Sequence, residues 1–222
     1  TEQGNGKRLY VTPKGKYPSI TTVLGSLPKP GLDAWRKRVG EKEANRVMNR
    51  AATRGTAVHE LFERYVNNEE GVVNEYPLHI QATFLDAKPT LDKHLTKVYQ
   101  QEAPLYSNHL GIAGRVDLVG EWDGKPCILD YKTSKSFKKK SFCENYFMQE
   151  AGYAVMFEEL TGKPITQLVT LIAGDEGVQV FDLQGRMITD TDLNKVDLSQ
   201  NPNGIYIFKL KGIGEIIKVI KH

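Results

Sequence analysis

The sequence predicts an α/β protein in which a central sheet is flanked by helices and followed by a short β-rich C-terminal extension. Three observations lead there. Residues 111–133, GIAGRVDLVGEWDGKPCILDYKT, place two apolar runs around Asp123-Gly124, a strong hairpin signal. Residues 165–173, ITQLVTLIA, form a nearly continuous apolar run suited to a sheet interior. Longer segments between and before these carry apolar residues at helical spacing.

Taken in order, residues 1–18 are polar and rich in Gly, Lys and Pro, and read as a flexible lead-in with one short strand around Leu9, Tyr10 and Val11. Residues 19–24, SITTVL, begin a hydroxyl-capped helix that Pro28 and Pro30 stop. Hydroxyls and amides at a helix start also suit phosphate, which makes Ser19 and Thr21 candidate substrate contacts. Residues 32–49 form a charged helix with Trp35 and Val39 a helical step apart. A second helix, 51–66, aligns Val58, Leu61, Phe62 and Tyr65, with His59 on the border of the stripe. Gly55 lies one turn earlier, and glycine there costs about 1 kcal/mol against alanine, which suggests close approach by something bulky. A third helix carries Ile80, Phe84 and Leu85 and is interrupted at Pro89. The extended stretch 98–105 brings Glu102 up to the hairpin. Residues 145–160 form a helix with Phe147, Ala151, Ala154 and Val155 as its buried face, and with Gln149 and Tyr153 four residues apart on one side. After the apolar strand, Asp175-Glu176-Gly177 turns the chain into VQVF.

The chemistry concentrates in the hairpin. Period-two alternation puts Asp130 and Lys132 on one face, and the hairpin carries Asp117 to the same edge of the sheet. An unpaired buried charge costs several kcal/mol or titrates instead. A hard divalent cation held by Asp117 and Asp130 resolves the repulsion, and so does simple pairing of Lys132 with one aspartate; these residues alone leave both open. Lys135, Lys138, Lys139 and Lys140 follow in a loop that is either solvated or turned to phosphates.

Composition excludes several classes. With 222 residues and a net charge of +3, the chain supports one substantial core and demands no nucleic-acid partner by charge alone. No apolar run approaches the roughly 18 residues of a membrane span, and the N-terminal residues lack the apolar core of a signal peptide. Two cysteines cannot supply the about four thiolates of an iron–sulfur cubane, nor a disulfide framework, so a reducing compartment is expected.

Several pieces occur in a fixed order across residues 17–177: YPSITTVL, RGTAVHEL with His59, Glu102, GRVD with Asp117, ILDYKTS with Asp130 and Lys132, and QEAGY with Gln149 and Tyr153. Together they resemble the PD-(D/E)xK nuclease superfamily, and within it the RecB-like exonucleases related to the mitochondrial genome maintenance exonuclease and its bacteriophage counterparts. The resemblance implies a restriction-endonuclease-like mixed sheet flanked by helices over residues 1–177. It also implies a metal-dependent exonuclease that hydrolyses the phosphodiester bonds of DNA, single-stranded or with free ends. By that analogy His59, Asp117, Asp130 and the Tyr131 carbonyl hold Mg²⁺ or Mn²⁺. Lys132, with Asp117 and Asp130, orients or deprotonates the attacking water. Gln149, Tyr153 and Glu102 support the site, and Ser19, Thr21, Lys135, Lys138 and Lys139 adjoin the substrate. No iron–sulfur cluster, other small-molecule cofactor or membrane is expected, and the setting is a bacterial or phage-infected cytoplasm or a mitochondrion. The competing expectation is a non-cleaving DNA-binding or recombination module of the same fold, against which the intact Asp117, Asp130 and Lys132 speak.

The extension, 178–222, reads as three short strands in FDLQGR, VDLSQNPNGIYIFKL and IIKVIKH. It resembles the C-terminal sorting domains of type IX secretion, and it reads equally as hairpins finishing the sheet. Secretion is not expected.

Overall fold

The structure, a computed structural model, describes residues 2–4, 7–175, 177–181, 187–190, 204–209 and 216–221. Where composition suggests a flexible lead-in, the chain instead forms a three-stranded antiparallel sheet of β1 (Glu2–Gly4), β2 (Lys7–Thr12) and β3 (Gly15–Pro18). Backbone pairing holds these polar strands, with Tyr10 opposite Tyr17. Helix α1 (Ile20–Gly25) follows, then α2 (Pro30–Val39) and α3 (Glu41–Val66). The helix expected over 32–49 is therefore split at Gly40. Its φ of 85° lies where a Cβ would be strained, so only the chain before it and the chain after it remain helical. The second half fuses with the expected 51–66 helix into one of 26 residues. Helix α4 (Leu78–His94) runs through Pro89 rather than stopping there. Pro89 lies on the exposed face, as does Leu85, whose carbonyl loses its partner and meets solvent instead.

Among the described residues the main sheet has six strands in chain order: β4 (Leu95–Ser107), β5 (Ile112–Trp122), β6 (Lys125–Ser134), β7 (Gln167–Gly174), β8 (Gly177–Phe181) and β9 (Met187–Asp190). All neighbours are antiparallel except β6 and β7, which run parallel because α5 (Glu144–Thr161) crosses between them. The β5–β6 hairpin turns on Asp123 and Gly124, both with positive φ, as a two-residue hairpin loop requires. β8 and β9 continue the main sheet past residue 177, while β10 (Gly204–Lys209) and β11 (Ile216–Lys221) pair with each other. The strand expected at FDLQGR lies outside the described residues over 182–186, as does 196–203 of the next one.

Each face of the sheet is covered. Val58, Leu61 and Phe62 of α3, with Phe84 and Leu91 of α4, pack on Leu118, Leu129, Tyr131 and Leu171. Ile20 of α1, with Tyr153, Met156 and Phe157 of α5, packs on Val116, Val119, Ile128 and Leu168. Burial of each large apolar side chain stabilises the fold by about 1.5–3 kcal/mol. Along β6 the alternation is clean: Leu129 and Tyr131 face α3, and Ile128 faces α5 with Asp130, which Gln149 of α5 meets. Helix α5 is rotated from its expected face. Glu150, Gly152, Tyr153, Met156 and Phe157 are buried, whereas Ala151 and Val155 are exposed and Phe147 is only half-buried. Among the described residues no helix is long and apolar enough to cross a membrane.

Candidate active site

A polar row crosses four strands of this otherwise apolar sheet. Glu102 on β4 lies between the pairs Gln101↔Leu118 and Ala103↔Val116, which sets it opposite Asp117 on β5. Asp117 adjoins the Leu118↔Leu129 pair at which the β5–β6 register ends, its Oδ2 accepts the Tyr131 N–H, and it lies within electrostatic reach of Asp130 on β6, which is paired with Thr170 on β7. Three carboxylates thus stand side by side on adjacent strands, where like charges destabilise unless something balances them.

At the α5 end the row is closed. Asp130 is fully buried; its Oδ1 accepts from Gln149 Nε2 at 3.2 Å, and its Oδ2 pairs with the Lys132 ammonium. The same Gln149 amide reaches Tyr153 Oη at 3.5 Å. Tyr153 packs so tightly on Gly114 that a Cβ there would stand 2.7 Å from the ring, which explains the glycine of GRVD. Burial pulls the Lys132 pKa down, but Asp130 and Asp117 outweigh it and leave the ammonium raised, so the charge persists at neutral pH. Tyr146 of α5 lies over that ammonium, 5.2 Å from Nζ to the ring centroid, a cation–π geometry. Glu150 is buried behind it and accepts from the Thr170 hydroxyl. Burial, reinforced by Asp130, lifts the Glu150 carboxyl well above the usual range.

At the α3 end the row opens into a cleft of about 610 Å³ lined by Tyr10, Gly55, His59, Glu63, Glu102, Arg115 and Asp117 among others. Phe62 stacks on Tyr131 with ring centroids 4.4 Å apart, which lays α3 against β6 and sets His59, one turn earlier, beside the row. His59 Nδ1 is 3.4 Å from Asp117 Oδ2, and that same oxygen accepts the Tyr131 N–H at 2.8 Å. Burial holds the His59 pKa below its ordinary value, against the pull of Asp130, so the imidazole is neutral and its lone pair is available. Burial, then Asp130, raises Asp117 well above the carboxylate range. Glu102 has a φ of +48°, a strained backbone for a residue with a Cβ, and its carboxyl is raised by burial and by Glu63 while Arg115 approaches to 3.5 Å. Gly55 needs no special bulk beside it: a Cβ there would meet only Thr133 Oγ1 at 3.5 Å, an ordinary contact.

A buried carboxyl whose proton affinity is raised by burial and by a neighbouring aspartate is a group whose charge a cation would also balance. Asp130 Oδ2 is buried and accepts no well-directed hydrogen bond among the described residues, its contact with Lys132 being an ion pair. Asp117, Asp130, the Tyr131 carbonyl and a neutral His59 are hard-to-borderline donors suited to Mg²⁺ or Mn²⁺. Among the described residues no three His, Cys, Asp or Glu side chains converge into a ready-made cage.

The family model of the PD-(D/E)XK nuclease superfamily matches residues 33–198. The chain belongs to this superfamily. Within it, the chain is similar to mitochondrial genome maintenance exonuclease 1 of Homo sapiens, at 25% identity over 138 residues that make up 59% of this chain and 40% of the human protein. The Mus musculus protein of that name matches at 24% over 135 residues, 56% of this chain and 39% of its own. The chain therefore spans about two fifths of the length of the curated relatives it matches.

Of the residues singled out by sequence in this PD-(D/E)XK chain, His59, Glu102, Asp117, Asp130, Tyr131, Lys132, Gln149 and Tyr153 come together around the row. Ser19 does not join them. It is buried, caps α1 by accepting the Thr22 N–H at 3.0 Å, and bridges to Ala113; Thr21 is exposed beside it. Lys135 and Lys139 are exposed on the loop after β6, and Lys138 lies 6.0 Å from the Tyr146 ring. Sequence reading missed Tyr146, Glu150, Glu63 and Arg115. Glu150 stands next to Gln149 in QEAGY, but a charged residue on a helix reads as surface until its neighbours are known.

Proposed function

We propose that the chain is a metal-dependent DNA exonuclease that hydrolyses phosphodiester bonds, preferring single-stranded DNA with free ends, in replication, recombination or DNA degradation inside a cell or organelle. The observation that carries this is the ion-paired Asp130–Lys132 couple on β6 set beside Asp117 on β5, which lines the His59 cleft. The exonuclease names of the matched relatives support the reading. The catalytic unit is proposed to occupy residues 1–177, with 178–222 as an extension that begins as part of the same sheet through β8 and β9.

A divalent ion bound by Asp117, Asp130, the Tyr131 carbonyl and His59 supplies Lewis-acid polarisation of the phosphate and a more acidic water. The chain's own residues do the rest. Gln149 fixes the Asp130 carboxylate by donating to Oδ1, while Oδ2 pairs with Lys132. Lys132 stays charged, so it acts as a donor that orients the attacking water and stabilises negative charge developing on the phosphoryl oxygens. Tyr131 N–H steers Asp117 Oδ2, and the closed α5 side keeps bulk water from the couple.

The test uses 5′- and 3′-labelled single- and double-stranded DNA with Mg²⁺, Mn²⁺ or EDTA, comparing the wild type with Lys132→Ala. Progressive release of end label is expected only with a divalent ion and only from the wild type. Undiminished cleavage by Lys132→Ala, or cleavage in EDTA, overturns the proposal.

A further inference from the structure

The loop between β6 and α5 carries more than charge. It runs Ser134-Lys135-Ser136-Phe137-Lys138-Lys139-Lys140-Ser141-Phe142, and two rings in it are exposed, Phe137 at 40% and Phe142 at 69%. The loop is docked beside the site. Phe142 and Cys143 N–H donate to the Lys139 and Lys140 carbonyls at 2.9 and 2.8 Å, forming the short turn Lys140–Phe142, and Cys143 is fully buried against Ile172 and Phe181. Tyr146 ties the loop to the reaction centre, since Lys138 and Lys132 both lie against its ring. The turn therefore presents Phe142 outward while its neighbour enters the core.

A single exposed ring is ordinary on a protein surface. The Phe142 ring stands one turn from the exposed Lys139, on the loop that follows the Asp130–Lys132 couple and also carries the exposed Lys135, which makes a different surface: an apolar face on a cationic loop. A wholly apolar partner would not meet those two cations, and a purely acidic one would not meet the ring. A nucleic-acid strand carries both phosphates and flat bases. A duplex keeps its base faces inside the stack, so only an unpaired strand presents one to such a ring.

We infer that Phe142, with Lys135 and Lys139, forms a single-strand docking site in which Phe142 stacks on an unpaired base and the lysines hold the flanking phosphates, so that this loop selects single-stranded over duplex DNA. The inference rests on the nuclease reading above for the identity of the strand.

Binding of the full chain in EDTA to a labelled single-stranded oligonucleotide, to the blunt duplex of the same length and to a single strand with abasic spacers tests it. Phe142→Leu is expected to weaken single-strand binding about tenfold, in line with base–aromatic stacking, to change duplex binding less than about twofold, and to be indifferent to the abasic strand. Phe142→Trp is expected to restore single-strand binding. Lys139→Ala is expected to weaken all three and to flatten the salt dependence on the single strand by about 0.7 in log–log slope. A Phe142→Leu chain that binds single strand like the wild type, or that loses single strand and duplex equally, overturns the inference. If cleavage persists in the wild type with that result, the nuclease reading stands and only the stacking falls. If the wild type binds single strand as described but never cleaves, the stacking stands and the nuclease reading falls. A chain that binds no DNA overturns both.

Discussion

The two ends of the polar row are built on different physics. At the α5 end Asp130 and Glu150 are shielded from water, Lys132 keeps 17% of its side-chain surface exposed, and each is tied to a named partner: Gln149, Thr170 and Tyr146 respectively. At the α3 end His59 keeps 31% of its side-chain surface exposed, and Glu102 is held on a strained backbone at the lip of the cleft that Asp117 also lines. The closed end fixes geometry, because desolvated charges interact strongly and tolerate little movement. The open end leaves room for water and substrate. The proposed phosphodiester hydrolysis would draw on both.

The largest expected effect breaks the closed end. Lys132→Ala should lower kcat about 10²–10³-fold, the cost of losing one preorganised donor, while DNA binding measured in EDTA stays near the wild-type level. At the open end, His59→Ala should raise the Mg²⁺ or Mn²⁺ concentration for half-maximal activity by about tenfold or more, with much of the rate recovered at saturating metal; loss of kcat without a metal shift would assign His59 to the closed end instead. Tyr146→Leu should lower kcat by about 2–30-fold through loss of the cation–π contact, and Tyr146→Phe should retain activity, since the ring and not the hydroxyl faces Lys132. Equal losses in both variants would refute a role for the ring.

The smallest effect sharpens the comparison without touching activity. Burial and Asp130 raise the Glu150 pKa, so the folded chain holds that proton more tightly than the unfolded chain does. Its stabilising contribution is complete below the ordinary Glu value of about 4.3 and is lost as pH rises through the raised folded value. Glu150→Gln keeps an acceptor for Thr170 and has nothing to ionise. Its melting temperature in EDTA should therefore exceed the wild type's by a margin that widens with pH, at about 2–4 °C per kcal/mol. A margin that narrows as pH rises would show that Glu150 is ionised in the folded state.

Much of the row was legible before the fold. Alternation alone placed Asp130 and Lys132 together, and the Asp-Gly turn fixed the strand register that brings Asp117 near Asp130. Helix faces were less legible. The apolar pattern of 145–160 pointed to Ala151 and Val155, yet the helix turns to bury Glu150 and to let Gly152 receive Ile20. That choice depends on a buried carboxyl finding Thr170 across the sheet, a pairing that helix periodicity does not contain. Ser19 shows the reverse case, since a hydroxyl that suits either a cap or a phosphate is taken by the cap.

By itself the sequence determined the local repeats: an Asp-Gly hairpin, an apolar parallel strand, long helices, and an acid and a lysine two residues apart. Periodicity and turn chemistry are properties of neighbouring residues, so they can be read along the chain. Only the tertiary structure decided that Tyr146 covers Lys132, that Glu150 is buried with its pKa raised, that Glu102 is strained opposite Asp117, and that His59 meets Asp117 through the stacking of Phe62 on Tyr131. Those outcomes arise from desolvation and from contacts between residues up to tens of positions apart, and they exist only once the helices have closed on both faces of the sheet.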